Sequence, residues 1–168
     1  MKNTYKRFEE LRLHSRLISL EKLDDICEHF CYPINAKPIG FEECIMYCFI
    51  DGYNDMVFAV NPESCADIYV YPLAKSFEDF LRLILACGSA NPTEQIIWMS
   101  KEKFDEHLTN EFKAINDEQQ IILNTIKDEF NLEPEPHPYE YVKNVQSDFD
   151  DSKIIYSDEY YDVLGLER

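Results

Sequence analysis

The sequence predicts an α+β fold, in which a small antiparallel β-sheet of at least three strands is flanked by several α-helices. Three runs rich in β-branched and aromatic residues follow one another at residues 43–50, 56–60 and 67–73. Turn-forming residues separate the runs, and stretches with helical spacing of apolar residues lie before and after them. Strands joined by short turns pair most simply as antiparallel neighbours, so this order indicates a meander.

The length of 168 residues predicts a single domain, 1–168, which is large enough to bury its own core. A hydrophobic content of 45% with 14% aromatic residues excludes a disordered chain. No apolar run approaches the roughly 20 residues that a membrane-spanning helix needs, and no apolar signal segment follows the first residues. We therefore expect a cytoplasmic protein.

The first elements are predicted to be helices. Residues 5–17 form a first helix with a loose apolar face, and Ser19 is predicted to cap a second one. The apolar residues of this second helix recur at helical spacing, and they are Leu20, Leu23, Ile26, Cys27 and Phe30. Pro33 and Pro38 end it and carry the chain in extended form to Gly40.

Turn residues set the limits of the predicted strands. Asp51 and Gly52 form a strong turn signal after the run 43–50, with residues 53–55 as an alternative extension of that loop. The tetrad 61–64, Asn-Pro-Glu-Ser, separates the other two runs. In the last run aliphatic and phenolic positions alternate, which predicts one aliphatic and one largely phenolic face. The aliphatic positions are Ile68, Val70 and Pro72, and they alternate with Asp67, Tyr69 and Tyr71.

Helix-capping residues predict four further helices. Ser76 is followed by a helix with two carboxylates in its first turn, and Cys87-Gly88 ends it. Thr93 is predicted to cap a short helix over 94–99, Ser100 one over 101–112, and Asn116 one over 117–130. The single tryptophan, Trp98, follows two isoleucines and is predicted to pack in the core, with an interface anchor as the alternative.

The C-terminal region begins with a Pro-rich spacer at residues 133–138, EPEPHP, which favours an extended polyproline conformation. Residues 139–145 are predicted to be helical, and 153–156 form a short strand or a docking segment. The residues after the spacer are acidic and rich in tyrosine. They also include enough apolar residues to predict that this tail packs back on the domain.

The middle of the chain resembles the SUKH superfamily. The resemblance rests on the segment PLAKSFEDFLRLIL at 72–85, where a strand leads into a helix at a Ser-Phe pair, and on CGSANPTEQIIWMSKEKFDEHL at 87–108. It covers about residues 41–108 and includes no catalytic signature. The resemblance implies an immunity protein of a bacterial toxin system, which binds a toxin domain and blocks it. It also leaves a second role open, because the superfamily includes intracellular regulatory or scaffold proteins with unrelated partners.

The net charge of −17 bears on the kind of partner. Nucleic acids and anionic membranes are bound through Lys and Arg, so the charge argues against both. It suits a basic protein partner, because complementary fields accelerate association. Many toxins of such systems are nucleases and hence basic, which fits the role implied by the resemblance. The alternative is that the charge only keeps the protein soluble.

No motif predicts catalysis, a cofactor or a metal. The sequence includes no GxSxG, no phosphate-binding glycine loop and no HExxH, and its four histidines are scattered. Six cysteines include two CxxxC pairs, but zinc sites prefer tighter CxxC spacing, so free thiols are predicted. We therefore predict a protein that binds another protein and is not an enzyme.

The predicted partner-binding residues lie in the acidic tail. From residue 128 onward the sequence has 12 acidic residues and 3 basic ones, and tyrosines lie among them. Asp148 and Asp150 alternate as in a calcium loop, but Lys153 stands where that loop needs glycine. A partner-facing strip of charge beside aromatic anchors is therefore favoured over a metal site. Its residues are Asp148, Asp150, Asp151, Asp158, Glu159, Tyr156 and Tyr160.

Overall fold

A four-stranded antiparallel sheet with the strand order β1-β2-β3-β4 forms the centre of the protein in the computed structural model, which describes residues 3–66 and 68–167. Each strand pairs with the next along the chain, which confirms the predicted α+β fold with an antiparallel meander in a single compact domain. The strands are β1 (Ala36–Glu42), β2 (Ile45–Ile50), β3 (Val57–Val60) and β4 (Val70–Ala74). Asp67, which the prediction placed in the last strand, lies outside the described residues.

Seven α-helices and one short 3₁₀ helix of the described residues surround this sheet. They are α1 (Asn3–Glu10), the 3₁₀ helix (Ser15–Ile18), α2 (Phe77–Cys87), α3 (Asn91–Gln95), α4 (Lys101–Ala114), α5 (Asp117–Phe130), α6 (Pro138–Ser147) and α7 (Asp158–Leu164). None of the described helices is long and apolar enough to cross a membrane.

Three predicted helix caps are confirmed. The Ser76 hydroxyl accepts a hydrogen bond from the Asp79 amide at 3.1 Å, and Ser100 accepts one from the Lys103 amide at 3.3 Å. The Asn116 side-chain oxygen accepts one from the amide of Gln119 at 2.8 Å. Each cap satisfies an amide that the first helical turn leaves without a partner, so α2, α4 and α5 begin where the sequence predicts.

The prediction of a helix after Ser19 is wrong. Ser19 adopts a left-handed conformation, with φ of 61°, and ends the 3₁₀ helix instead of starting a new one. The amide and carbonyl of Glu21 pair with Phe41, at 2.8 and 2.9 Å, so this segment forms an isolated bridge with β1. A helix here would also bring the like charges of Asp24 and Glu28 together, four residues apart, which destabilises helices.

Four other predicted boundaries also need correction. The first helix ends at Glu10, because Arg12 adopts φ of 51°. Thr93 lies inside α3, where its hydroxyl donates to the Ala90 carbonyl at 2.6 Å. Residues 36–42, predicted only as extended, form β1, and Glu43 begins the turn to β2 with φ of 53°. Of the two alternatives for residues 153–156, the strand is absent and the segment docks through Tyr53 and Asn35, and the helix α7 after it was not predicted.

Both faces of the sheet are buried, and different parts of the chain cover them. On the side that we call the helix face, Tyr47, Ala59 and Tyr71 lie opposite one another on three strands and pack in one core with residues of α1, α2, α5 and α6. On the side that we call the tail face, the irregular segment 22–35 and the residues after α6 provide the cover. The buried strand residues of the tail face are Phe41, Met46, Cys48, Ile50, Phe58, Val60 and Val70.

Candidate protein-binding surface

The chain after α6 crosses the tail face without regular structure, and two side chains hold it there. The Tyr53 hydroxyl donates to the carbonyl of Asp150 at 2.8 Å and accepts from the amide of Lys153 at 2.9 Å. The Asn35 amide group donates to the Lys153 carbonyl at 3.0 Å, and its oxygen accepts from the Ile155 amide at 3.1 Å. These bonds replace the strand pairing that residues 153–156 would need.

Tyr156 and Tyr160, two of the predicted partner-binding residues, pack mainly against the protein itself. Their rings stack on each other with centroids 3.7 Å apart, and the ring of Phe30 is stacked 6.3 Å from that of Tyr160. Burial is the main cause that raises the pKa of both phenols, so both stay neutral at physiological pH. These tyrosines attach the tail to the body of the protein.

The three aspartates that follow α6 are exposed, and two of them line a pocket together with lysines. Asp148 and Asp150 border an open pocket of about 500 Å³ that Lys75 and Lys153 also line. The Asp150 carboxylate accepts hydrogen bonds from the amide and the hydroxyl of Ser152, both at 3.0 Å, and these bonds hold its pKa below its usual value. Positive and negative side chains therefore lie side by side at this end of the tail, and their electrostatic fields partly cancel.

Asp158 and Glu159 lie elsewhere, in the first turn of α7, where they border a second groove of about 550 Å³. The structure therefore divides the predicted acidic strip into two places. We call this second site the acidic groove. It is lined by Ile26, Glu28, His29, Tyr32, Pro33, Ile34, Ala36, Pro38, Met46, Ser157, Asp158 and Glu159.

The acidic groove combines exposed aliphatic side chains with a carboxylate border. Ile34 is 67% exposed and Ile26 is 43% exposed, although both are large apolar residues. Three carboxylates line the same groove, and none of its described lining residues is a lysine or an arginine. An apolar floor with a border of one sign of charge has the chemistry that suits a basic segment with apolar side chains.

Contacts between distant parts of the chain build the groove. The amide of Ile34 donates to the carbonyl of Ile155 at 2.9 Å, which joins the segment 22–35 to the tail. The Tyr32 hydroxyl donates to the Cys44 carbonyl at 2.6 Å and fixes the same segment to the turn between β1 and β2. The groove is therefore held on both sides by hydrogen bonds, and its isoleucines stay at the surface.

Sequence reasoning missed the apolar half of this groove. Ile26 and Leu23 were assigned to the buried face of a helix, whereas Leu23 is 38% exposed and the helix is absent from this segment of the described chain. The available signal was the acidic density of residues 21–28 together with Pro33, which is typical of a solvated loop. Ile34 had no role in the prediction.

Metal ligands add no further site, and the buried thiol of Cys31 adds none. No group of three or more His, Cys, Asp or Glu residues within the described ranges is placed to hold a metal ion. All six cysteines are free, and burial raises the pKa of Cys31 to about 12. A thiol with so high a pKa is a poor nucleophile at neutral pH.

Comparison with known proteins found no match to this chain among family models, curated proteins or solved structures. The role that the resemblance to the SUKH superfamily implies is therefore a proposal.

Proposed function

We propose that this protein binds a basic protein partner through the acidic groove, without catalysis, and that it acts as a SUKH-like immunity protein in the bacterial cytoplasm. The observation that supports this proposal is the pairing of Ile26 and Ile34 at the surface with a border of carboxylates. Exposed aliphatic residues bordered by charge are typical of interaction sites. The net charge of −17 adds a field that favours basic partners over acidic ones.

A nuclease toxin is the partner that this chemistry suits best. Its nucleic-acid site carries Lys and Arg to bind phosphates, so an acidic protein can occupy that site or lie beside it. In the acidic groove, Glu28, Asp158 and Glu159 would supply the attraction at long range. The isoleucines would then exclude water from the contact and slow dissociation.

The test begins with the gene next to the one that encodes this protein. A neighbouring gene for a toxin domain supports the immunity role, and its product is then the partner to measure. We expect the purified pair to associate rapidly at low ionic strength and more slowly as salt is added. A neighbouring metabolic operon instead favours a regulatory or scaffold role with an unrelated partner.

Charge-neutral variants decide which acidic residues face the partner. We expect Asp158→Asn with Glu159→Gln to lower the association rate and to flatten its salt dependence. The matched control is Asp117→Asn with Glu118→Gln, an exposed acidic pair in the first turn of α5. Equal association rates for both double variants would contradict binding through the groove.

The aspartates after α6 provide the competing location. The triple variant of Asp148, Asp150 and Asp151 to Asn removes their charge and leaves the acidic groove intact. A slower association of this variant, with no change in the groove variant, would place the partner at the end of α6. If both variants slow association, the partner covers both acidic sites.

A charged substitution of an exposed isoleucine, with a control on α5, tests the floor of the groove. Ile34→Glu places a charge where we expect apolar contact, and it should cost about 1 kcal/mol or more of binding free energy, mainly through faster dissociation. Ile121→Glu on α5 is the control, because Ile121 is 64% exposed, close to the 67% of Ile34. An equal loss in both variants would reflect general charge repulsion and would contradict a specific contact.

A further inference from the structure

Glu94 is a buried carboxylate that is not among the residues that line the acidic groove. Only 2% of this residue is exposed, and its Oε1 accepts hydrogen bonds from the Tyr71 hydroxyl and, at 2.8 Å, from the Asn61 amide group. No lysine or arginine of the described chain forms an ion pair with it. Burial raises its pKa, and the two hydrogen bonds oppose that shift. A buried carboxyl group without a cationic partner is costly to keep.

The local fold holds this carboxylate in a fixed position. Asn61 connects two elements, because its amide group donates to Glu94 while its oxygen accepts from the amide of Glu63 at 2.8 Å. Tyr71 lies on β4 and is fully buried, so the second donor is fixed by the sheet. The carboxylate is thereby attached both to the sheet and to the loop between β3 and β4.

A cavity of about 240 Å³ opens beside Glu94. Its walls come from the turn between β1 and β2, from the loop after β3 and from α3 with the turn that follows it. The lining residues are Glu43, Cys44, Ile45, Asn61, Glu63, Cys65, Asn91, Glu94, Gln95 and Trp98. We call this cavity the Glu94 pocket. None of its lining residues lines the acidic groove.

Trp98 gives the Glu94 pocket an aromatic wall. The sequence predicted core packing for this residue, and that prediction is wrong, because Trp98 is 45% exposed. The helix α3 ends at Gln95, and the turn after it leaves the indole at the surface beside the cavity. An indole face attracts cations, and guanidinium groups stack on it because they are planar.

The chemistry of the lining selects a cation. Three carboxylates line the pocket, from Glu43, Glu63 and Glu94, and its described lining includes no lysine or arginine. The side-chain amides of Asn91 and Gln95 add oxygen acceptors, although the Gln95 amide group already donates to Asn91. A guanidinium group has five N–H donors in a flat fork, which matches carboxylates on one side and an indole face on the other.

We propose that the Glu94 pocket binds a guanidinium group, with Glu94 as the buried carboxylate partner and Trp98 as the stacking surface. The group can belong to an arginine side chain of a protein or to a free guanidinium compound, since both present the same chemistry. The proposal stands independently of the acidic groove, and its tests use small molecules that need no protein partner.

The single tryptophan makes the binding measurable. Trp98 is the only indole in the chain, so its fluorescence reports on this pocket alone. We expect N-acetyl-arginine amide to change the emission of Trp98 in a saturable way. N-acetyl-citrulline amide, which has the same shape without the charge, should leave it unchanged, and N-acetyl-lysine amide should bind more weakly. An equal response to citrulline would overturn the proposal.

A second probe separates the two sources of the group. Agmatine has the guanidinium without the flanking peptide bonds of an arginine residue. If N-acetyl-arginine amide binds at least as tightly as agmatine, the pocket accepts an arginine of a protein chain. If only agmatine binds, the pocket takes a free compound. Either result supports guanidinium recognition, whereas binding of neither probe contradicts it.

Variants then assign the binding to Glu94. We expect Glu94→Gln to weaken binding of N-acetyl-arginine amide by about tenfold or more, because a charge-assisted contact is lost. Glu63→Gln at the exposed border should have a smaller effect. Glu118→Gln, an exposed residue of α5, is the control with the same change of charge and should have none. An unchanged affinity in folded Glu94→Gln would overturn the proposal.

A further variant covers the case in which Glu94→Gln fails to fold. Trp98→Leu removes the stacking surface at an exposed position, where folding should be preserved. Its affinity for N-acetyl-arginine amide is measured by calorimetry, since the fluorescent reporter is lost. We expect a severalfold weaker affinity, and an unchanged one would contradict the assigned role of the indole.

Discussion

The two faces of the sheet are buried by different means. Regular helices cover the helix face, and hydrogen-bonded caps begin three of them, α2, α4 and α5. On the tail face, the segment 22–35 and residues 148–157 lie in irregular conformations, fixed mainly by side-chain hydrogen bonds to the backbone. Helices with their own backbone hydrogen bonds therefore cover the helix face, whereas irregular segments, with the short helix α7 beside them, cover the tail face. The acidic groove lies on this second side.

The difference also predicts how the two faces respond to substitution. Helices bring their own backbone hydrogen bonds, so their residues contribute mostly through packing. An irregular cover depends on a few side chains, and losing one of them releases a whole segment. Variants on the two faces should therefore differ both in the size of the effect and in how far it spreads.

The largest effect is expected on the helix face. Phe80 of α2 is fully buried, and its ring lies 5.9 Å from that of Tyr47 and 6.2 Å from that of Phe77. Phe80→Ala should lower the free energy of unfolding by about 3–5 kcal/mol. Denaturant unfolding measures this, with Phe149→Ala on the tail face as the comparison, for which about 1–2 kcal/mol is expected. Equal losses would contradict the distinction between the faces.

Tyr53→Phe should loosen the tail face alone. Tyr53 is 7% exposed, and its hydroxyl bonds the backbone of both Asp150 and Lys153. Removing that oxygen leaves two backbone groups without their partner, at a cost of about 1–3 kcal/mol. Hydrogen exchange should accelerate in residues 150–155 and stay unchanged in α2. Faster exchange in both places would indicate global unfolding and would contradict a local role.

Two serines provide a matched test of capping. Ser76→Ala should cost about 0.5–2 kcal/mol, since its hydroxyl accepts the amide of Asp79. Ser157 stands at the same position before α7, but its side chain makes no capping hydrogen bond. Ser157→Ala should therefore change the denaturation midpoint much less. A larger shift for Ser157→Ala than for Ser76→Ala would refute this assignment.

The smallest effect is a dependence on pH at Asp150. The hydrogen bonds from Ser152 lower the pKa of this carboxylate in the folded state, below the value of about 3.9 of an unfolded aspartate. Its contribution to stability is therefore present above about pH 4 and is lost as the pH falls through the lowered pKa. Compared with wild type, Asp150→Asn should be slightly less stable at pH 7, and the difference should vanish in acid. If the difference in stability persists in acid, it has a cause other than the titration of Asp150.

The local part of the fold was predictable from the sequence. Caps such as Ser76 and Asn116 lie within three residues of the amides that they bond, so a short stretch of sequence is enough to predict them. The meander was predictable for the same reason, because its strands follow one another. The helix expected after Ser19 failed because Glu21 pairs with Phe41, twenty residues away. Apolar spacing alone cannot show such a competing partner.

The candidate surface was predictable only in its charge. The carboxylates of Asp158 and Glu159 stand out in the sequence, but Ile26 and Ile34 lie more than a hundred residues before them and meet them only in the fold. The sequence around Glu94 and Trp98 indicated neither a buried charge nor a cavity. The donors to Glu94, Asn61 and Tyr71, lie on other elements. Sites assembled from distant segments leave no spacing pattern.

The hydrogen bonds that fix the tail also set an order of events during synthesis. Asp150 leaves the ribosome 97 residues after Tyr53, and Ile155 follows Asn35 by 120 residues. At about 5–20 residues per second, the strands wait about 5–20 s for the segment that covers them. During this interval the nascent chain exposes an apolar sheet surface, to which chaperones bind and which promotes aggregation. Translation speed between β3 and the tail therefore becomes a determinant of the yield of folded protein.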